Sequence, residues 1–211
     1  MIDLTMVIAF LQNLVLLIPA VSVHEFAHAF VADKLGDRTA RHAGRLTLNP
    51  IAHLDPMWSI ILPLILFLSS GGMFIFASAK PVPIDYRMLN NPKKDIVWIG
   101  LAGPLSNFIF AFVCFALLRF IPSANGRAIL VLLAEINVFL GVFNLIPIPP
   151  LDGSRVLAGL LPYGLSQAYL RIEPYGMLIL FVLLMFHGIS VFVLPLSEII
   201  IRFLSTIAGA I

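Results

Sequence analysis

Apolar residues in this chain come in long runs, and the polar residues between them fall into short clusters. A membrane-crossing helix needs roughly 20 apolar residues, and the runs approach or exceed that length. The first, Leu4–Val23, continues as a predicted helix to about Leu35, where Gly36 and Asp37 break it. Met57–Ala79 is the second, Ile96–Leu118 the third and Ala128–Leu151 the fourth. From Pro174 the chain stays apolar almost to its end, interrupted by His187-Gly188, Pro195, Glu198 and Arg202. That tail fits two short helices, or one span and an interfacial helix.

The second run is irregular. It holds Pro63, then "SSGG" at Ser69–Gly72, then the aromatic stretch "MFIFASAKPVP" with two prolines at its end. Prolines and paired glycines disfavour one clean helix. A short helix to about Ser69, a turn at the glycines and an extended return strand at Phe74–Ala79 fit better. Such a re-entrant element survives at membrane depth only where other helices shield its backbone. The excess of Lys and Arg on the cytoplasmic side separates the two topologies. If the run crosses fully, Lys34, Arg38, Arg41, Arg45, Arg119 and Arg127 oppose Lys80, Arg87, Lys93, Lys94, Arg155 and Arg171, six against six. If it enters and returns, only Arg119 and Arg127 are left on the far side, ten against two. The expected fold is therefore an all-α polytopic membrane protein of about five to six transmembrane helices. A re-entrant helix/β-hairpin element lies between the first helix and the next span. The loops Lys34–Pro56, Lys80–Asp95 and Gly153–Glu173 are expected on the cytoplasmic side.

Composition sharpens the class. Of the 211 residues, 60% are hydrophobic and 11% charged, and the mean hydropathy is +1.03; a soluble domain carries about 25% charged residues. A net charge of +2 is too small to argue for nucleic acid. Cys114 is alone in an apolar run, which rules out a disulfide framework and a cysteine-based metal site. The start "MIDLTM" lacks a basic n-region, so a cleaved signal peptide is not expected. The expectation is one intramembrane domain over residues 1–211, multi-pass in the cell (inner or plasma) membrane.

The first helix carries "AVSVHEFAHAF" from Ala20 to Phe30, with three ionisable groups amid apolar neighbours. His24, Glu25 and His28 spell H-E-x-x-H. Positions i and i+4 share a helix face, so both imidazoles reach one ion, and Glu25 lies about 100° round the helix, beside that ion. Ionisable groups within a span are costly and mark function. A catalytic zinc site takes three protein ligands and keeps one position open. Asp152 in "NLIPIPPLDGSRVL" is the candidate third ligand. With the re-entrant topology, the fourth run returns Asp152 to the depth of the two histidines; a full crossing puts it on the opposite face.

"HEFAHAF", "GPLSN" at Gly103–Asn107 and "NLIPIPPLDG" at Asn144–Gly153 resemble the signature set of the site-2 protease family of intramembrane zinc metalloproteases. "NPIAHLDP" at Asn49–Pro56 and "AKPVP" at Ala79–Pro83 resemble a short bacterial-type branch of it. The resemblance covers about residue 20 to residue 155. It implies one Zn2+ per chain held by His24, His28 and Asp152, with Glu25 as general base. It further implies cleavage of peptide bonds in or beside transmembrane segments of membrane-protein substrates, inside the lipid bilayer. Two features depart from the family pattern: the H-E-x-x-H helix is the first in the chain, and no PDZ-type peptide-binding domain is present.

The oxyanion of the tetrahedral intermediate needs donors besides the metal. Asn107, Asn144 and His53 are the candidates for oxyanion or substrate contact. Asn107 equally suits interhelical bonding. Asp55 reads as a turn residue, His187 as a turn histidine, and Glu135 as an interhelical hydrogen-bonding group. Two other functions use intramembrane His and Asp: a metal-binding or transport protein, and an inactive protease-like scaffold. A transporter needs ligands spread along a path, whereas these converge, and Glu25 is superfluous for binding alone. Substrate, cleavage position and oligomeric state are left open by the sequence.

Overall fold

The computed structural model describes residues 3–69, 79–186 and 188–210, without the side chains of 188–190. Helix α1 (Leu4–Lys34) starts where the Asp3 carboxylate accepts the Met6 N–H at 2.8 Å. It stops before Gly36, whose φ of 113° suits glycine alone. A short α2 (Thr39–His42) and a 3₁₀ turn at Pro50–Ala52 follow. Asp55 then caps a π-helical turn, Pro56–Ile61, by accepting the Met57 and Trp58 N–H groups, and the turn runs into α3 (Leu62–Ser69). From Ala79 the chain runs without helix or strand as far as the 3₁₀ turn Tyr86–Met88. Then come α4 (Pro92–Leu117), α5 (Ala124–Asn144), α6 (Asp152–Leu160), α7 (Tyr163–Leu170), α8 (Gly176–Met185) and α9 (Gly188–Ile207).

Among the described residues the fold is all-helical. Among the described residues, four segments are long and apolar enough to cross a membrane: Leu4–Lys34, Pro92–Phe120, Ala124–Asn144 and Tyr163–Met185. The five to six spans expected from the sequence are thus matched in part. Pro56–Ser69 is too short to cross, and α9 carries exposed Glu198 and Arg202 in its length. The predicted return strand at 74–79 lies, apart from Ala79, outside the described residues, as does His187. Its flanks are described, however: the Lys80 N–H donates to the His53 carbonyl at 3.0 Å, so the chain before and after residues 56–78 meets side by side.

Helix α4 is the centre of the bundle, packed on α1, α5, α6 and α9. Its outer half supplies Ala111, Cys114, Phe115 and Leu118 to the core, against Ala134, Val138 and Val142 of α5. Small residues set the spacing here, as expected where lipid removes the hydrophobic drive for helix association. Large apolar side chains such as Leu4, Ile8, Ile109 and Val113 point outward.

After Asn144 the prolines at 147, 149 and 150 prevent α5 from continuing, and the chain makes tight turns before α6. Gly153 lies flat on this turn: a Cβ there would stand 2.6 Å from the Ile146 carbonyl oxygen, with the Leu145 carbonyl nearer still. Backbone atoms cannot swing aside as a side-chain tip can. Gly153→Ala is therefore expected to cost about 1–3 kcal/mol through overpacking, read as a lower thermal midpoint in detergent. An unchanged midpoint would show that this turn yields.

Candidate metal centre

Three ligand atoms from two distant parts of the chain converge. His24 Nε2 lies 3.0 Å from His28 Nε2 and 3.0 Å from Asp152 Oδ2, and His28 Nε2 lies 3.2 Å from the same oxygen. The two rings stand nearly edge to face, at 81°. Both histidines are buried and Asp152 is half-buried.

Hydrogen bonds on the far side of each ring fix what these atoms are. His28 Nδ1 meets the Ile99 carbonyl oxygen at 2.7 Å. A carbonyl only accepts, so Nδ1 carries a proton, and in the neutral ring Nε2 presents a lone pair to the cluster. His24 Nδ1 meets Asn107 Oδ1 at 2.6 Å. The orientation of that amide follows from its other end, where Nδ2 donates to the Ala20 carbonyl at 3.1 Å and to Asn137 Oδ1 at 2.8 Å. Asn137 in turn donates to the Leu133 carbonyl at 2.8 Å. Every donor in this chain is committed, so His24 likewise carries a proton on Nδ1 and turns Nε2 inward. As neutral rings, the two imidazole lone pairs and the carboxylate oxygen repel one another unless a cation lies between them. Tetrahedral zinc with bonds of about 2.0–2.2 Å sets adjacent ligand atoms about 3.3 Å apart, close to the spacings observed. The donor set fits the ion.

Helix α4 backs the whole cluster with one stripe. Ile99 holds His28, and Asn107 holds His24. Between them, Gly100 lets the Asp152 backbone approach, and a Cβ at Gly103 would stand 2.6 Å from His24 Nε2.

The cluster opens into a cavity of about 470 Å3. Its walls are apolar, with Leu14 and Ile18 of α1, Phe143 of α5 and Met177 of α8 among them. Glu25 lines it too, and its Oε2 accepts the Val82 N–H at 2.8 Å. Val82 stands between Pro81 and Pro83, so its N–H is the single backbone donor of those three residues. Buried Arg45 grips the same segment through the Lys80 carbonyl at 2.7 Å.

The other residues singled out in the sequence are dispersed. Asn107 is wholly buried behind His24, with both amide protons spent. His53 is also wholly buried, its Nε2 on the Thr47 carbonyl at 2.8 Å, and it does not line the cavity. Asn144 does line it, and donates one N–H to the Leu140 carbonyl at 3.0 Å. Glu135 is exposed on the outer face of α5.

Sequence reasoning passed over Asn137, Val82, Tyr86 and Arg155. Asn137 was findable as a second amide inside an apolar run. Tyr86 and Arg155 both line the cavity, and the Arg155 guanidinium lies 5.9 Å from the Tyr86 ring centroid. Burial would lower the Arg155 pKa, but its ion pair with Glu173 raises it above the ordinary value. Burial pushes the Tyr86 phenol up, assisted by the Asp152 carboxylate, so it is protonated at neutral pH. The Arg87 side chain holds the Asp85 carboxyl down to about 2.

Comparison with known proteins gives the same direction. The family described as Peptidase family M50 matches residues 12–126 and 121–187. The chain is 39% identical over 178 residues to "Putative zinc metalloprotease YwhC" of Bacillus subtilis, covering 79% of this chain and 77% of that protein. It is 35% identical over 165 residues to "Putative zinc metalloprotease Rip2" of Mycolicibacterium smegmatis, covering 77% of this chain and 62% of the relative. "Zinc metalloprotease MJ0392" of Methanocaldococcus jannaschii is 29% identical over 179 residues, 83% of this chain and 42% of its own length. No solved structure matches the chain significantly.

Groups that orient a ligating histidine are worth about 10–100-fold in metal affinity. Asn107→Ala is accordingly expected to lower zinc affinity by that factor, measured by competition with a chelator, while leaving the helical content intact. Unchanged affinity would mean that packing alone holds the His24 ring.

Proposed function

The chain belongs to peptidase family M50, the site-2 proteases, and on that premise we propose that it is a zinc-dependent intramembrane endopeptidase. Its reaction is hydrolysis of peptide bonds in or beside transmembrane segments of membrane-protein substrates. The observation that carries this reading is the convergence of the His24, His28 and Asp152 acceptor atoms within 3.2 Å of one another, in a cavity that Glu25 also lines.

His24, His28 and Asp152 are the ligands in this reading, for one ion per chain. Bound zinc supplies Lewis acidity and brings the ionisation of water toward about pH 7. Glu25 accepts the proton of the attacking water and passes it to the leaving amine. One of its oxygens is held by Val82, which leaves the other for the proton. Asn107 positions His24 and does not touch substrate. Asn144 keeps one amide proton for the substrate backbone. His53 anchors the loop that carries Lys80. The apolar walls accept the side chains of an unwound transmembrane segment.

The topology belongs to the same reading. Residues 56–78 enter and leave on one side of the membrane, supported by the Lys80–His53 hydrogen bond and by the ten-to-two distribution of basic residues. The loops on that side face the cytoplasm of a cell whose plasma membrane holds the protein.

Glu25→Gln should keep its zinc and lose cleavage of a transmembrane test peptide by about 10²–10⁴-fold, the range for removal of a general base. Asp152→Ala should lose both metal and activity. Full cleavage by zinc-loaded Glu25→Gln would end the peptidase reading, and full zinc occupancy in Asp152→Ala would end the ligand assignment. For topology, a cysteine placed by Arg87→Cys on a Cys114→Ser background should react with impermeant reagents from the cytoplasmic side. Labelling only from outside would show that residues 56–78 cross the membrane.

A further inference from the structure

The proposed reaction leaves one charge without an assigned partner. When water attacks the scissile carbonyl, a C–O bond forms, the π pair moves onto the carbonyl oxygen, and the water proton goes to Glu25. The resulting oxyanion needs a fixed donor on the protein beside the metal. Of the three side-chain donors expected from the sequence, Asn144 lines the cavity with one amide proton uncommitted, and the other two are placed elsewhere. Both amide protons of Asn107 are spent, and His53 lies outside the cavity.

Of the described side chains that line the cavity, Ser59 accepts the Asp55 N–H at 3.0 Å, and Asn144 gives one amide proton to Leu140 and keeps the other. Arg155 is forked onto Glu173, with two nitrogens on its two carboxylate oxygens. Tyr86 also lines the cavity, and its hydroxyl makes no hydrogen bond among the described residues.

Two independent contacts bring Tyr86 to the metal centre. It packs against the buried cluster of Ala32, Leu89 and Ile99, and the carbonyl of Ile99 holds His28. It also stacks beside Arg155, which follows Asp152 by one turn of α6. Its own turn is rigid. Buried Asp37, just past α1, accepts the Asp85 N–H at 2.8 Å and the Thr39 N–H at 2.9 Å. On the other side, the Asn90 N–H donates to the Leu35 carbonyl at 3.0 Å. A phenol held this way is a preorganised donor, needing no reorganisation as charge develops.

We propose that Tyr86 is a catalytic residue of this centre, its hydroxyl donating a hydrogen bond to the oxyanion that forms on the scissile carbonyl. It gives no proton away; the phenol is neutral before and after the step. The inference rests on the peptidase reading above.

Tyr86→Phe tests it, because the ring, its packing on the Ala32, Leu89 and Ile99 cluster and its place beside Arg155 are retained. In the zinc-loaded full chain, kcat on a transmembrane test peptide should fall by about 10²–10³-fold, the usual loss for one oxyanion donor. KM and zinc content should be unchanged. A phosphonamidate peptide, whose tetrahedral oxygens resemble the intermediate, should bind more weakly by a similar factor. Unchanged kcat, a loss confined to KM, or loss of zinc would each overturn the assignment. Glu25→Gln separates the two levels. If that variant still cleaves, the peptidase reading itself fails. If it is inactive while Tyr86→Phe is fully active, only the role of Tyr86 fails.

Discussion

The structure is organised around three polar atoms, His24 Nε2, His28 Nε2 and Asp152 Oδ2, that face one another inside an apolar bundle. Burying a polar group without a partner costs several kcal/mol in surroundings that cannot hydrogen-bond, so this cluster calls for a proton or a metal cation among its three atoms. Its cost explains why so many surrounding groups are committed to it. The tautomer of each imidazole is set by a carbonyl behind it, and the amide behind His24 is set by a second amide on a third helix.

That requirement dictates which helices meet. The H-E-x-x-H pair lies on α1, but α4 makes it usable, by presenting a carbonyl, two glycines and an amide along one stripe. Helix α5 extends the network through Asn137, and the broken chain after Asn144 returns Asp152 to the same point. The segment from Ala79 completes the enclosure. Arg45 holds it from the loop side and Glu25 from the helix side, so the proposed general base also serves as a strut of the cavity wall.

Much of this was legible in the chain. Histidines four apart on a helix share a face whatever surrounds them, and the prolines before Asp152 forecast both the end of α5 and a sharply placed carboxylate. Other features depend on contacts across the bundle, which one strand of text does not carry. Asn107 stood out as an amide in an apolar run, yet its direction depends on Asn137, thirty residues on. His53 sits in a polar loop that suggested solvent or substrate, but the loop folds over it until none of its surface is accessible. Tyr86 gave no periodic or motif signal, because its position is fixed by a buried aspartate at the end of another helix. Of the five to six spans expected from apolar length, four appear among the described residues as segments long and apolar enough to cross, beside the short α3 and the charged α9.

The bare position at Gly103 has a consequence for how the protein is built. With only a hydrogen there, α4 rests directly on the imidazole rings, so the surface that packs the two helices and the surface that gathers the ligands are one surface. Close packing of α1 on α4 and placement of the two rings are therefore one geometric requirement, and any side chain at position 103 would disturb both at once.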